Sequence, residues 1–326
     1  MQISKNNAEI SEILVEEKIK KEKKITWKLI KKQKFLMFMS MPFVVWLIIF
    51  AYIPLIGWVT AFQDYRPEKG FLDQKWVGLK YFKELFAEPQ FYQSMQNTIA
   101  MSLLGLVFGT TCAIGFALLL NEVRNVKFKK CVQTISYLPH FISWVVAASI
   151  ITSMLSPSGI VNELLLKFHI LSTPKSFMSD PNLFWGILTA SDIWKEVGWG
   201  AIIYLAAITS IDPELYDAAK VDGAGRLRQM ISITLPSIKP TIVVLLIMSI
   251  GNLLNIGFEK QMLLGNPIVA DKSLVIDKYA LDYGIGMFRY SYGTAIGIFK
   301  SVVSIILIFG ANRLAKKSGE GLALFN

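Results

Sequence analysis

The residues best placed to do chemistry in this chain are those of a docking surface rather than a catalyst. They lie between Ile211 and Pro240, in the stretch IDPELYDAAKVDGAGRLRQMISITLPSIKP. Asp212 suits a helix N-cap, Pro213 the first helical position, and Glu214 the positive end of the dipole. Gly223 and Gly225 can stop the helix ten residues later, so the spacing predicts a helix over about 212–223. Leu215, Ala218, Ala219 and Asp222 fall on one face of it. That face is small, mostly alanine and leucine. Isolated helices below about 12 residues rarely hold in water, so this one needs a surface to pack against.

No catalytic pattern accompanies it. A phosphate-binding loop requires G-x-x-x-x-G-K-[ST]. The nearest fragment, GTAIGIFKS at 293–301, has the wrong spacing and sits in an apolar run. Neither a G-x-S-x-G elbow nor an H-E-x-x-H pair occurs. Cys112 and Cys131 give no disulfide framework or metal spacing, and His140 and His169 are too far apart in sequence to suggest a metal site. No catalytic residue and no metal ligand is assigned. If energy is used, another chain must supply it.

The elements that must hold this stretch are apolar. The chain is 53% hydrophobic with mean hydropathy +0.46, and several runs reach the roughly 20 residues that cross a bilayer. The net charge of +10 is read as membrane topology rather than as a nucleic-acid footprint. Residues 1–34 form a lysine-rich cytoplasmic arm with Ile25, Trp27, Leu29 and Ile30 near lipid. The following run starts too late and is too long for a cleaved signal.

Six spans are expected, at about 35–62, 97–120, 132–155, 183–208, 238–258 and 292–312, with kinks at Pro42 and Pro54. The fourth contains Asp192, Lys195 and Glu196, which are costly in a membrane unless paired. Segments 1–34, 121–130, 209–237 and 313–326 together hold 20 Lys and Arg, against 11 in 63–95, 156–182 and 260–291. The first set is therefore cytoplasmic, both termini included. Domain bounds follow as an arm over 1–34, a transmembrane domain over 35–313 and a short cytoplasmic tail over 314–326. Trp76, Tyr81, Phe82, Phe91 and Tyr92 fall in or beside the outer segments, as interfacial anchors or as a lid.

Here the residues resemble a known family. Asp217-Ala218-Ala219, then Gly223, then Ile233-Thr234-Leu235-Pro236 match the spacing of the EAA motif of ABC importer permeases, with Asp217 where that family carries glutamate. Leu138–Trp144, Gly251–Glu259 and Tyr290–Gly297 look like the polysaccharide- and lipoprotein-type carbohydrate subgroup. The resemblance implies an all-α, six-helix type-I importer fold in the plasma or inner membrane. It also implies that Glu214, Asp217, Ala218, Ala219, Asp222, Gly223 and Ala224 form a coupling helix. The implied partners are a second homologous permease, two cytoplasmic subunits that carry ATP and magnesium, and an extracellular binding protein, a lipoprotein. No cofactor is bound by this chain itself.

For a carbohydrate, aromatic faces and hydrogen-bonding amides and carboxylates form the site. Asn252, Asn255 and Glu259 are spaced to share a face of the fifth span, pointing into the bundle, where interhelical hydrogen bonding is the other reading. Trp144, Trp194 and Trp199 are stacking candidates, with packing the alternative. Asp192, Lys195 and Glu196 are expected to pair among themselves. Competing functions are a permease for another solute, such as an amino acid, and a non-transporting membrane receptor or scaffold.

Overall fold

The computed structural model describes residue 31 and residues 33–319. Most of the expected arm, residues 1–30 and 32, lies outside the described residues, as do residues 320–326 of the tail. The chain divides into two units, Met1–Trp58 and Val59–Asn326.

The first unit holds most of helix α1 (Lys34–Phe62). Its apolar side chains are exposed on every side, Phe35, Trp46 and Phe50 among them, the condition of a helix suited to lipid. Pro42 lies inside an unbroken α-helical segment, Lys34–Leu47. Pro54 has a visible effect: a π-turn at Ile48–Tyr52 precedes it and the helix continues as 3₁₀. Proline lacks the N–H for an α-helical bond and crowds the preceding turn, and this change of winding relieves both.

The second unit opens with a two-residue antiparallel pair, β1 (Gln63–Asp64) and β2 (Lys75–Trp76). Then come α2 (Lys80–Ala87) and the long α3 (Pro89–Glu122). The outer-segment aromatics prove to be divided. Tyr81 and Phe91 are buried with Leu85, Tyr279, Tyr292 and Ile296, whereas Trp76 and Tyr92 remain exposed. Tyr81 Oη donates to Asp64 Oδ1 at 2.7 Å. That bond holds the Asp64 carboxyl below its usual value, and burial together with it pushes Tyr81 up to about 12.

Two departures from the expected spans have clear causes. Residues 132–155 are not one helix but α4 (Val126–Tyr137), a 3₁₀ turn at Leu138–Phe141, and α5 (Trp144–Leu155). Pro139 ends the first helix. Ser143 starts the next, its Oγ accepting from Val146 N. A short α6 (Ile160–Lys167) follows. The fifth span is likewise a bent pair, α9 (Arg226–Ser237) and α10 (Lys239–Gly251), meeting at 57°. It stops at Gly251, not 258. Asn252 caps the end, and Gly257 adopts φ +72° before α11 (Glu259–Leu264) begins.

Between these lie α7 (Pro181–Thr209) and α8 (Pro213–Val221). The chain closes with α12 (Ile276–Leu281) and α13 (Tyr290–Ser318). Small residues let α3 and α7 approach closely: Ala113 and Ala117 pack with Ala201, Tyr204 and Leu205. Where α4 crosses α7, Gly198 lies directly under the Ser136 carbonyl. Buried polar groups of α3 are satisfied, Asn97 Nδ2 donating to the Asp271 and Leu274 carbonyls at 2.8 and 2.9 Å.

Among the described residues, α1, α3, the stretch Trp144–Lys167 and α13 are long and apolar enough to cross a membrane, and the α9–α10 pair makes a fifth. Helix α7 has the length, 29 residues, and carries the three charges noted above.

Candidate functional site: a short exposed helix and an ionic cavity

Helix α8 is sealed at both ends by its own sequence. Asp212 Oδ1 accepts from Glu214 N at 3.0 Å. At the other end Ala224 N donates to the Ala219 carbonyl at 2.8 Å and Gly223 N to the Lys220 carbonyl at 3.0 Å. These two bonds form a Schellman motif, which requires the left-handed backbone that Gly223 supplies at φ +75°. A Cβ built on Gly223 meets nothing within 4 Å, so within this chain glycine is needed for conformation rather than for room. Gly225 does not end this helix; it stands at the N-cap of the next.

The outward face carries Glu214, Asp217, Ala218 and Asp222, all exposed, with Ala219 and Ala224 half-buried. Leu215 and Val221 are bare as well, Val221 at 88% exposure, and apolar groups left in the open beside carboxylates suit a protein partner. Asp217 is engaged already, by Lys220 Nζ at 2.8 Å. Both side chains are well exposed, so the pair is worth about 0–1 kcal/mol and leaves the carboxylate free to change partners. Sequence reasoning missed Tyr216, whose hydroxyl lies 2.9 Å from Thr234 Oγ1. This bond ties α8 to the buried side of α9. Only the position of Thr234 within the Ile233–Pro236 pattern hints at it.

The charges of α7 are paired, and more widely than expected. Lys195 Nζ lies 3.2 Å from Glu196 Oε1 and donates to the His140 carbonyl at 2.8 Å. His140 Nδ1 and Glu196 Oε2 are 2.7 Å apart, and since a carboxylate only accepts, the imidazole donates. Asp192 reaches instead to Lys260 at 2.5 Å. Neither His140 nor Lys260 is near α7 in sequence, and only the cost of an unpaired charge in a span implied that such partners exist.

Asp192, Glu196 and Lys260 edge a cavity of about 480 Å³ between α3, α7 and α10, lined also by Asn252, Ser102 and Thr110. The shared face expected for Asn252, Asn255 and Glu259 is not formed, because the helix ends before it. Asn252 lines this cavity and donates to the Met248 carbonyl. Asn255 donates to Ser304 Oγ at 3.4 Å and lines a second hollow with Asp277 and Tyr290. Glu259 is exposed at the start of α11 and lines neither.

The tryptophans also separate. The Trp144 ring is flanked by Lys195 and Lys260 Nζ at 5.7 and 5.8 Å. Trp199 is stacked by the His140 ring at 4.4 Å. Trp194 keeps 42% exposure. For two of the three, neighbouring cations or an imidazole stand where a sugar ring would stack.

Comparison with known proteins accords with this architecture. The family model described as binding-protein-dependent transport system inner membrane component matches residues 105–319. The polygalacturonan/rhamnogalacturonan transport system permease protein YteP of Bacillus subtilis (strain 168) is 47% identical over 304 residues, covering 93% of this chain and 94% of the relative. A crystal structure of a bacterial ABC transporter that imports the acidic polysaccharide alginate superposes with TM-score 0.81 at 41% identity, over 89% of this chain and 98% of that one. A second, of the alginate transporter in complex with a periplasmic protein bound to alginate pentasaccharide, gives TM-score 0.82 at 41% identity, over 90% and 98%. On the strength of a family match across about two thirds of its length, this chain belongs to the binding-protein-dependent transport system inner membrane components.

Proposed function

We propose that this chain is one permease subunit of an ATP-driven importer, forming half of the path for an oligosaccharide or polysaccharide handed over by an extracellular binding protein. The observation that carries the reading is α8: a helix capped at both ends, with Ala218, carboxylates and apolar side chains exposed, set between α7 and the α9–α10 pair. It is the coupling helix, comprising Glu214, Asp217, Ala218, Ala219, Asp222, Gly223 and Ala224. It docks on one of two separate cytoplasmic ATPase subunits, which hold ATP and magnesium. ATP-driven closure of those subunits moves α8, and the spans rock about the path.

Six crossings serve this function: α1, α3, the stretch opening at Trp144, α7, the α9–α10 pair and α13. The pairing of Asp192, Lys195 and Glu196 supports α7 as the crossing that hydropathy alone leaves out. Both termini then lie in the cytoplasm, with an arm over 1–34 and a tail over 314–326 flanking the permease domain at 35–313. A second, homologous permease completes the pore. The binding protein, a lipoprotein, stands outside. This chain binds lipid at its surface and no nucleic acid.

The test is purification of the tagged chain from its own membranes, followed by reconstitution. A stoichiometric nucleotide-binding subunit and ATP-dependent uptake of labelled oligosaccharide are expected. Full membrane extraction without an ATPase subunit would overturn the reading.

A further inference from the structure

The reading above leaves the chemical class of the carbohydrate open, and the α7 cavity bears on it. We propose that Asp192 and Lys260 form a carboxylate-exchange site, in which the carboxylate of a uronic acid unit takes the place of Asp192 on Lys260 as the sugar passes. This rests on the carbohydrate reading and narrows it to acidic sugars.

Four observations carry it. Asp192, Glu196 and Lys260 all line the cavity, and Lys260 is the one Lys or Arg among its lining residues. Glu196 is already balanced, by Lys195 at 3.2 Å and His140 at 2.7 Å. The Lys260 ammonium has three N–H groups, yet among the described residues its oxygen acceptor is Asp192 alone. Two donors therefore remain for a ligand, in a place where the Lys260 and Asp192 side chains are only 17% and 26% exposed. A charge-assisted bond in such shielded surroundings is stronger than one in open water.

The pair also joins separate elements. Asp192 is on α7 and Lys260 on α11, so an arriving carboxylate that captures Lys260 breaks the ionic tie between α11 and α7. An uncharged sugar offers only hydroxyls, which do not compete with a carboxylate for an ammonium. The exchange thus distinguishes an acidic sugar from its neutral counterpart, by the same contact that loosens the wall of the cavity.

The two partners of an exchange site respond oppositely to mutation, and the two partners of a simple brace respond alike. The measurement is equilibrium binding of radiolabelled trigalacturonate to the assembled importer in nanodiscs without its binding protein, with the fully methyl-esterified sugar as competitor. Lys260→Met should weaken binding about tenfold or more, the loss expected for one charged hydrogen bond. Lys260→Arg should retain most of the binding. Asp192→Asn should tighten it, since the rival carboxylate is gone. The ester should compete poorly in wild type.

Weakening by both Lys260→Met and Asp192→Asn, equal competition by the ester, or no binding to wild type would each overturn the proposal. Uptake of the same sugar by the complete importer is scored separately. Uptake without these binding differences leaves the permease reading standing and removes only the exchange site. Failure of wild type to take up any carbohydrate overturns the reading beneath it, and the proposal with it.

Discussion

Replacement of Gly223 isolates the role of the α8 cap from every packing effect. Its φ of +75° lies in the left-handed region, and a Cβ there touches nothing within 4 Å. Substitution therefore costs only backbone conformation, roughly 1–2 kcal/mol for an L-residue. That is a factor of about 5–30 in a two-state population. Helix α8 has only nine residues, and the Schellman bonds from Gly223 and Ala224 close its last turn. The population with the docking face correctly closed should fall by that factor in Gly223→Ala, further in Gly223→Val, and least in Gly223→Asn, since asparagine tolerates this backbone best. The assay is sugar transported per ATP hydrolysed in proteoliposomes, with the amount of ATPase subunit retained on the permease measured in parallel. Thermal stability of the spans should be unchanged. A valine variant that couples normally, or an asparagine variant as damaged as valine, would refute the reasoning.

Two further perturbations probe the scaffold. Tyr81→Phe keeps the buried ring and removes the 2.7 Å bond to Asp64. Because Asp64 is held below its usual 3.8, that bond contributes fully above this value and is lost as pH falls through the lowered one. The melting-temperature gap between wild type and variant should therefore be present at pH 7 and close on acidification; a gap independent of pH would contradict it. Gly198→Ala drives a methyl into the Ser136 backbone carbonyl, whereas at Gly200 the added Cβ meets Ala113 at an ordinary 3.5 Å. Melting in detergent should show a loss of about 1–3 kcal/mol for the first and little for the second, and equal shifts would exclude the crowded α4–α7 crossing.

Helix α8 was legible in sequence because its signals are local. Asp212 and Pro213 start it, Gly223 ends it, and each acts within a turn of itself, so the expected 212–223 became Pro213–Val221. The helical membrane architecture was legible for a related reason: apolar length is a sum along the chain. The third and fifth spans depart from their expected bounds where a local stop intervenes. Pro139 breaks one, and the turn after Gly251 ends the other and sends Asn252 and Asn255 to different hollows.

What sequence by itself determined, then, was class, family and the position of the short helix α8, all carried by residues that act on near neighbours. The tertiary structure alone decided which distant groups meet: His140 with Glu196, Asp192 with Lys260, Tyr216 with Thr234. A charge in a low-dielectric span demands a partner, but that demand fixes the partner's chemistry and not its address. The address is set by how α7 packs against α4 and α11, through contacts that no periodicity encodes.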